Sequence, residues 1–194
     1  KVASIPTARM QVYFIDNEEY FKRKSVFTDD AGTEHIDNDE RAMFFSRGVL
    51  ETVKKLGWKP DVIHCHGWMT SFMPMYIKDI YNNDPHFSDT KVVYSVYDDQ
   101  FNENWDGRFA EKLKFEGFND EIIEGIKDGS CCNLHKMAIK YSDGVIKGNK
   151  ELNEELSTAF EEFPGHKLDF HPEESLPKLC SEFFDKVIEE EVLI

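Results

Sequence analysis

The chain has 194 residues, with 23 Lys and Arg against 38 Asp and Glu, a formal charge of −15. An acidic excess of that size excludes a grip on nucleic acid, because phosphate contacts need clustered cations. Hydrophobic residues make up 40% of the chain and aromatics 13%, so there is apolar material for a core, no case for general disorder, and a length that suits a single domain over 1–194.

No run approaches the roughly 18 consecutive apolar residues that a bilayer span needs, and Lys1 to Pro6 lacks the apolar stretch of a signal peptide. No membrane partner is expected. Cys65, Cys131, Cys132 and Cys180 form neither a Cys-x-x-Cys pair nor a regular framework, which reads as a reducing, cytoplasmic setting. The chain opens at Lys1 on a strand-like run without a Met, so a further strand and helix are expected upstream.

In chain order, Lys1 to Ile5 and Met10 to Ile15 read as extended runs paired in a hairpin around Pro6 and Thr7. Asp16 to Ile36 is a polar loop, with one helical turn over Glu18 to Lys22 and a tight turn at Asp29-Asp30-Ala31-Gly32. Asp37 precedes Glu40 at the spacing of a capping box, and Ala42, Phe45, Val49, Val53 and Leu56 then repeat on one face of a helix that Gly57 ends. Asp61 to His66 is a short strand that stops at Gly67, and Trp68 to Tyr81 a helix. Lys91 to Tyr97 is the next strand. Phe101 to Asp128 reads as one or two helices in an insertion. Then come a helix at Asn133 to Tyr141, a strand at Asp143 to Lys147, a helix at Glu151 to Phe160 and a strand at Lys167 to Phe170. A last helix runs from Pro172 to Glu190, with Pro172 at its first position and Leu176, Cys180, Phe183 and Val187 on one face.

This alternation defines βαβ units and predicts an α/β fold, a doubly wound, mainly parallel, Rossmann-like sheet with helices on both faces. Ligands of such sheets bind beyond the carboxyl ends of the strands. The segments to search are therefore Cys65 to Thr70, Tyr97 to Asn102 and Lys147 to Lys150.

The most informative of them is His64-Cys65-His66-Gly67-Trp68-Met69-Thr70, where a strand ends and a helix begins. Its backbone N–H groups are placed to meet an anion or a sugar hydroxyl. Strand alternation puts His64 and His66 on one face and Cys65 on the other. The two histidines admit a metal pair, for which third and fourth ligands at recognisable spacing are missing, or a satisfied core histidine at 64 with His66 lining a cleft. Other signals stay open between function and packing: the vicinal pair Cys131-Cys132, the carboxylates Asp98, Asp99 and Glu103, and the rings of Trp58, Trp68 and Trp105. Neither a Walker phosphate loop nor a Gly-x-Ser-x-Gly elbow occurs, which removes nucleotide kinase and esterase readings.

The runs Asp37-Asn38-Asp39-Glu40-Arg41-Ala42-Met43-Phe44-Phe45 and Trp58-Lys59-Pro60-Asp61-Val62-Ile63-His64-Cys65-His66-Gly67-Trp68 resemble the amino-terminal domain of bacterial glycogen and starch synthases. That family reads Asp-Asn-x-x-Arg-Phe on a helix and Pro-Asp-Ile-Ile-His-x-His-Asp-Trp on the strand after it. Val12 to Asn17 with Tyr20-Phe21, Asn133-Leu134-His135-Lys136 and Tyr141-Ser142-Asp143 extend the similarity over roughly Val12 to Leu156. The resemblance implies one lobe of a retaining, metal-independent glycosyltransferase of the GT-B type. Such an enzyme needs no cofactor beyond a sugar nucleotide substrate, ADP-glucose or UDP-glucose with ADP-glucose foremost, and elongates an α-1,4-glucan. Carried over position by position, it implies that His66 is catalytic and that Asp37, Asn38, Arg41 and Trp68 bind substrate, Trp68 more as packing than as a stacking platform.

The departures are specific too. Gly67 stands where the family has the aspartate of His-Asp-Trp, and Ser95-Val96-Tyr97-Asp98 where it has Thr-Ile-His-Asn. The family's Lys-x-Gly-Gly-Leu loop would precede Lys1, and its second lobe, with the cations that offset diphosphate charge, is not in this sequence. A departing nucleotide diphosphate needs fixed donors worth several kcal/mol, which this acidic chain does not offer alone. The chain alone is thus expected to be inactive or weakly active. It is then a fragment, a short relative working with a partner chain, or a non-catalytic carbohydrate-binding or regulatory module on the same fold. The run Glu189-Glu190-Glu191-Val192-Leu193-Ile194 favours a short relative.

Overall fold

The computed structural model describes residues 1–99, 101, 105 and 107–189. Asn102 and Glu103, and the terminal run from Glu190 to Ile194, lie outside the described residues. The chain begins with an antiparallel hairpin, β1 (Val2–Ile5) and β2 (Met10–Tyr13), in which Val2 faces Tyr13 and Ile5 faces Met10. A short helical turn, α1 (Glu18–Phe21), follows. It is capped by Asn17, whose Oδ1 accepts the N–H groups of Glu19 and Tyr20 at 2.9 Å each.

The long helix α2 (Asn38–Lys55) forms where its apolar period predicts, although Leu56 is exposed and Phe45, Val49 and Val53 are half-buried beside the buried Ala42, Met43 and Leu50, but the capping box does not form. The Asp37 side chain makes no cap; its oxygens accept both Arg23 Nη atoms at 2.7 and 2.5 Å. A bidentate, charge-assisted pair is the stronger use of a carboxylate than a single backbone N–H.

The main sheet holds β3 (Val62–His66), β4 (Lys91–Val96), β5 (Gly144–Lys147) and β6 (His166–Leu168), side by side in that order and all parallel. Strand alternation splits its side chains between two cores. Cys65, Val92, Tyr94, Val96 and Val145 enter the larger one, which is built with the crossover segments α3 (Phe72–Met75), α4 (Phe109–Glu116), α5 (Asp120–Ile126), α6 (Cys131–Lys140) and α7 (Glu154–Glu162). Val93 and Ile146, with Val62 and Leu168 beside them, face the other way and meet Phe183 and Val187 of α8 (Leu176–Glu189). The result is a parallel sheet flanked by helices on both faces, as predicted.

Two elements differ from expectation. Trp68 to Tyr81 is not one helix but a 3₁₀ turn at Trp68–Thr70, then α3, then a π-helical turn at Tyr76–Ile80 closed by Tyr81 N–H on Tyr76 O at 2.8 Å. Pro74 lacks the N–H that an unbroken helix would direct at Thr70 O. Pro172 does not start the last helix either. Its carbonyl accepts the N–H groups of Ser175 and Leu176 at 3.1 and 3.2 Å, so it heads a turn leading into α8, and Pro177 is the proline of the first helical turn. Among the described residues no helix is long and apolar enough to cross a membrane.

Candidate functional site

The carboxyl ends of β3, β4 and β5 open into one hollow of about 460 Å³, lined by His66, Gly67, Tyr97, Asp98, Asp99 and Asn149. Each lining residue is the last of its strand or lies just past it, where a parallel sheet leaves backbone and side chains free to meet a ligand. The lining is polar and, among the described residues, includes no Lys or Arg.

His64 and His66 share the face of β3 turned toward α8, with ring centroids 4.0 Å apart. His64 is tied inward: Nε2 is 2.8 Å from Ser95 Oγ and its ring meets Phe184 edge-on at 5.2 Å. Burial, helped by the neighbouring His66, draws the His64 pKa down to about 3. Desolvation lowers His66 from its ordinary value as well, so both imidazoles are neutral near pH 7.

His66 Nδ1 lies 3.0 Å from Tyr97 Oη. Burial raises the Tyr97 pKa, against a smaller opposing effect of the Ser95 hydroxyl, so the phenol keeps its proton. The Tyr97 ring rests on Gly148, where a Cβ would come within 2.5 Å of Cε1. This contact fixes the ring plane, the ring fixes His66, and Nε2 is left as the imidazole's other hydrogen-bonding atom. Opposite, Asp98 N–H donates to Asn149 Oδ1 at 2.9 Å and Asn153 Nδ2 donates to Asp98 Oδ1 at 3.3 Å. The hollow thus offers a neutral imidazole, a phenol, an amide and carboxylates: the donors and acceptors of a polyhydroxylated ring.

Asp37, Asn38 and Arg41 do not line this hollow. Arg41 is 2% exposed; its Nε donates to Tyr20 O at 2.9 Å and its Nη1 to Asn38 Oδ1 at 2.5 Å. Asn38 Nδ2 in turn donates to Phe27 O at 3.0 Å, so the three residues clamp the loop before α2 onto the helix start. Trp68 is 3% exposed, packed between Phe27 at 4.9 Å and the edge of Phe101 at 5.2 Å. Phe27 therefore links the α2 start to the segment behind His66.

The four cysteines are free, and burial pushes Cys131 up to about 12 and Cys132 in the same direction, so the vicinal pair is two thiols. Among the described residues no group of three or more His, Cys, Asp and Glu side chains is placed to hold a metal. The sequence marks Tyr97 only as a departure from the family's Thr-Ile-His-Asn and does not single out Asn149. Both lie in segments marked by the rule that strand ends carry the site.

Fold and hollow together define an α/β domain of the kind that binds a ligand at the carboxyl edge of a parallel sheet. Comparison with known proteins makes this more specific. A family model for the starch synthase catalytic domain matches residues 1–169, and the chain belongs to that family. It is 43% identical over 168 residues to the glycogen synthase of Chlorobium luteolum, covering 85% of this chain and 33% of that protein. With the glycogen synthase of Chlorobaculum parvum it shares 36% over 160 residues, covering 81% and 32%. The catalytic domain of starch synthase IV from Arabidopsis thaliana, solved bound to ADP and acarbose, has a similar fold at 20% identity, with a TM-score of 0.58 over 79% of this chain and 32% of that one. The chain spans no more than about a third of the length of these relatives.

Proposed function

We propose that the hollow receives the glucosyl unit in transfer from a sugar nucleotide, ADP-glucose foremost, to an α-1,4-glucan, in a cytoplasmic protein. The observation that carries this reading is the neutral His66, held by Tyr97 at the carboxyl edge of the sheet, with a hydrogen-bonding atom left over for a sugar hydroxyl. Membership of the starch synthase catalytic family supports it. Asp37, Asn38 and Arg41 serve the site at one remove, by anchoring the loop whose Phe27 backs Trp68, and Trp68 serves as packing behind the hollow.

The chain supplies one wall. A nucleotide diphosphate needs cationic or N–H donors against its developing charge, and among the described residues the hollow's lining holds no Lys or Arg. Those donors come from a second lobe or a partner chain, and the chain by itself transfers glucose weakly or not at all. The same lining favours a second reading, a carbohydrate-binding module without transfer chemistry.

Calorimetric titration with ADP-glucose and with a maltooligosaccharide, alongside incorporation of labelled glucose, separates the two. In the first reading His66→Ala weakens binding about fivefold, the cost of a lost hydrogen bond of about 1 kcal/mol, and lowers incorporation wherever the complete site is assembled. Unchanged binding and incorporation remove His66 from the site. Oligosaccharide binding with no turnover of any sugar nucleotide by the assembled protein establishes the second reading.

A further inference from the structure

Asp99 enters the hollow in an unusual way. Its Oδ2 accepts the Trp68 N–H at 3.2 Å, at the start of the turn after β3. To get there it passes through the space beside Gly67: a Cβ built on that glycine would lie 2.3 Å from Asp99 Oδ2. Gly67 also sits at φ 69 and ψ 178, a conformation essentially reserved for glycine. Position 67 therefore has no side chain, and the carboxylate of Asp99, just past the end of β4, takes its volume.

Behind Asp99 stands a chain of buried polar groups. His135 is fully buried; its Nε2 is 3.3 Å from the main-chain oxygen of Asp99 and 3.3 Å from Oδ1. Its Nδ1 is 2.7 Å from the hydroxyl of Tyr94, also fully buried. Nε2 faces two oxygens of Asp99, both acceptors, so it carries a ring hydrogen directed at Asp99, while the Tyr94 hydroxyl meets Nδ1 on the other side of the ring. Asp99 Oδ1 is buried without a hydrogen-bond partner among the described residues, while the side chain as a whole is 42% exposed. Oδ2 is the oxygen turned to the hollow, with lone-pair capacity beyond the Trp68 N–H.

We propose that Asp99 is the carboxylate that accepts hydroxyls of the bound sugar, delivered through the gap at Gly67, with His135 as its positioning residue. This rests on the reading of the hollow as a hexosyl site. It adds a residue that reads ligand class: a carboxylate there favours a neutral polyol and repels an anion, so the sugar enters this part of the hollow and the diphosphate does not.

The test is titration of the full 194-residue chain, labelled with ¹⁵N, with maltotriose, following backbone amides and histidine ring nitrogens. In the native chain His66, Gly67 and Asp99 signals move, and so does His135 Nε2–H, although that ring is sealed from solvent and can sense the sugar only through Asp99. Asp99→Asn, nearly isosteric, weakens binding at least about tenfold, as expected for a hydrogen bond to a charged group, and abolishes the His135 response. Binding within about twofold of native in Asp99→Asn overturns the proposal and leaves the hexosyl reading intact. A static His135 signal during native titration overturns its positioning role. Failure of the native chain to bind maltotriose and ADP-glucose alike overturns the hexosyl reading and the proposal with it.

Discussion

His64 and His66 sit side by side on one face of β3, and the difference between them is depth. With its pKa drawn down to about 3, His64 is neutral in the folded chain where an unfolded histidine, at 6.5, is already charging. The unfolded state therefore binds the extra proton between those values, and stability is lost as pH falls from 6.5 toward 3. In His64→Phe that contribution disappears, and the urea midpoint should fall less steeply from pH 7 to pH 4 than in the native chain. The Gly67–Asp99 pair makes a second prediction. Gly67→Ala should lower the melting temperature sharply in the native background and clearly less in Asp99→Gly, because the backbone strain persists but the collision does not. Much of this was legible in the sequence: alternation alone puts both histidines on one face. What was not legible is why residue 67 is glycine. The sequence shows a family aspartate missing, whereas the cause is a carboxylate that comes from beyond a whole crossover.

The elements are held to one another by charges as well as by cores. Lys112 on α4 reaches Asp39 and Glu40 on α2 at 2.5 and 2.9 Å, and Asp39 is 1% exposed. Burial pushes the Asp39 carboxyl up and Lys112 pulls it back. Lys112→Met should strand that charge and cost about 3 kcal/mol in denaturant unfolding at pH 7. The loss should shrink as pH falls, because protonating Asp39 removes the uncompensated charge. The apolar period over Ala42, Phe45, Val49 and Val53 announces that α2 exists, but the face it buries is set by Ala42, Met43, Ser46 and Leu50, with Phe45, Val49 and Val53 only half-buried. Its cap was misjudged because the competing partner, Arg23, is brought near only by the folded loop. Likewise the Pro74 segment reads as a uniform helix until the missing N–H is counted, and Pro172 reads as a helix start because both a turn and a first helical position accept proline.

At the scale of the molecule, the sheet has two differently defended faces. Nearly all crossover helices crowd one side, while α8 meets the other, through Phe183 and Val187 in the core and Phe184 against His64. The match to the starch synthase family model stops at residue 169, before α8 begins. The alternation of strand and helix made the layered plan readable from the sequence. That one final helix would seal the face beneath the hollow was not readable, because its apolar stripe names no partner.

That seal has an effect beyond packing. Cutting the chain ahead of Leu176 would let water reach the His64 imidazole, and its titration, followed by ring carbon-bound proton shifts, should climb from about 3 toward the ordinary histidine range. A protonated His64 would then repel charge on the neighbouring His66 ring, 4.0 Å away between centroids, and disturb its contact with Tyr97. The shortened chain would carry an acid-sensitive hollow, one that loses its grip on sugar in mildly acidic buffer where the longer chain keeps it. The terminal helix is in this sense a proton barrier.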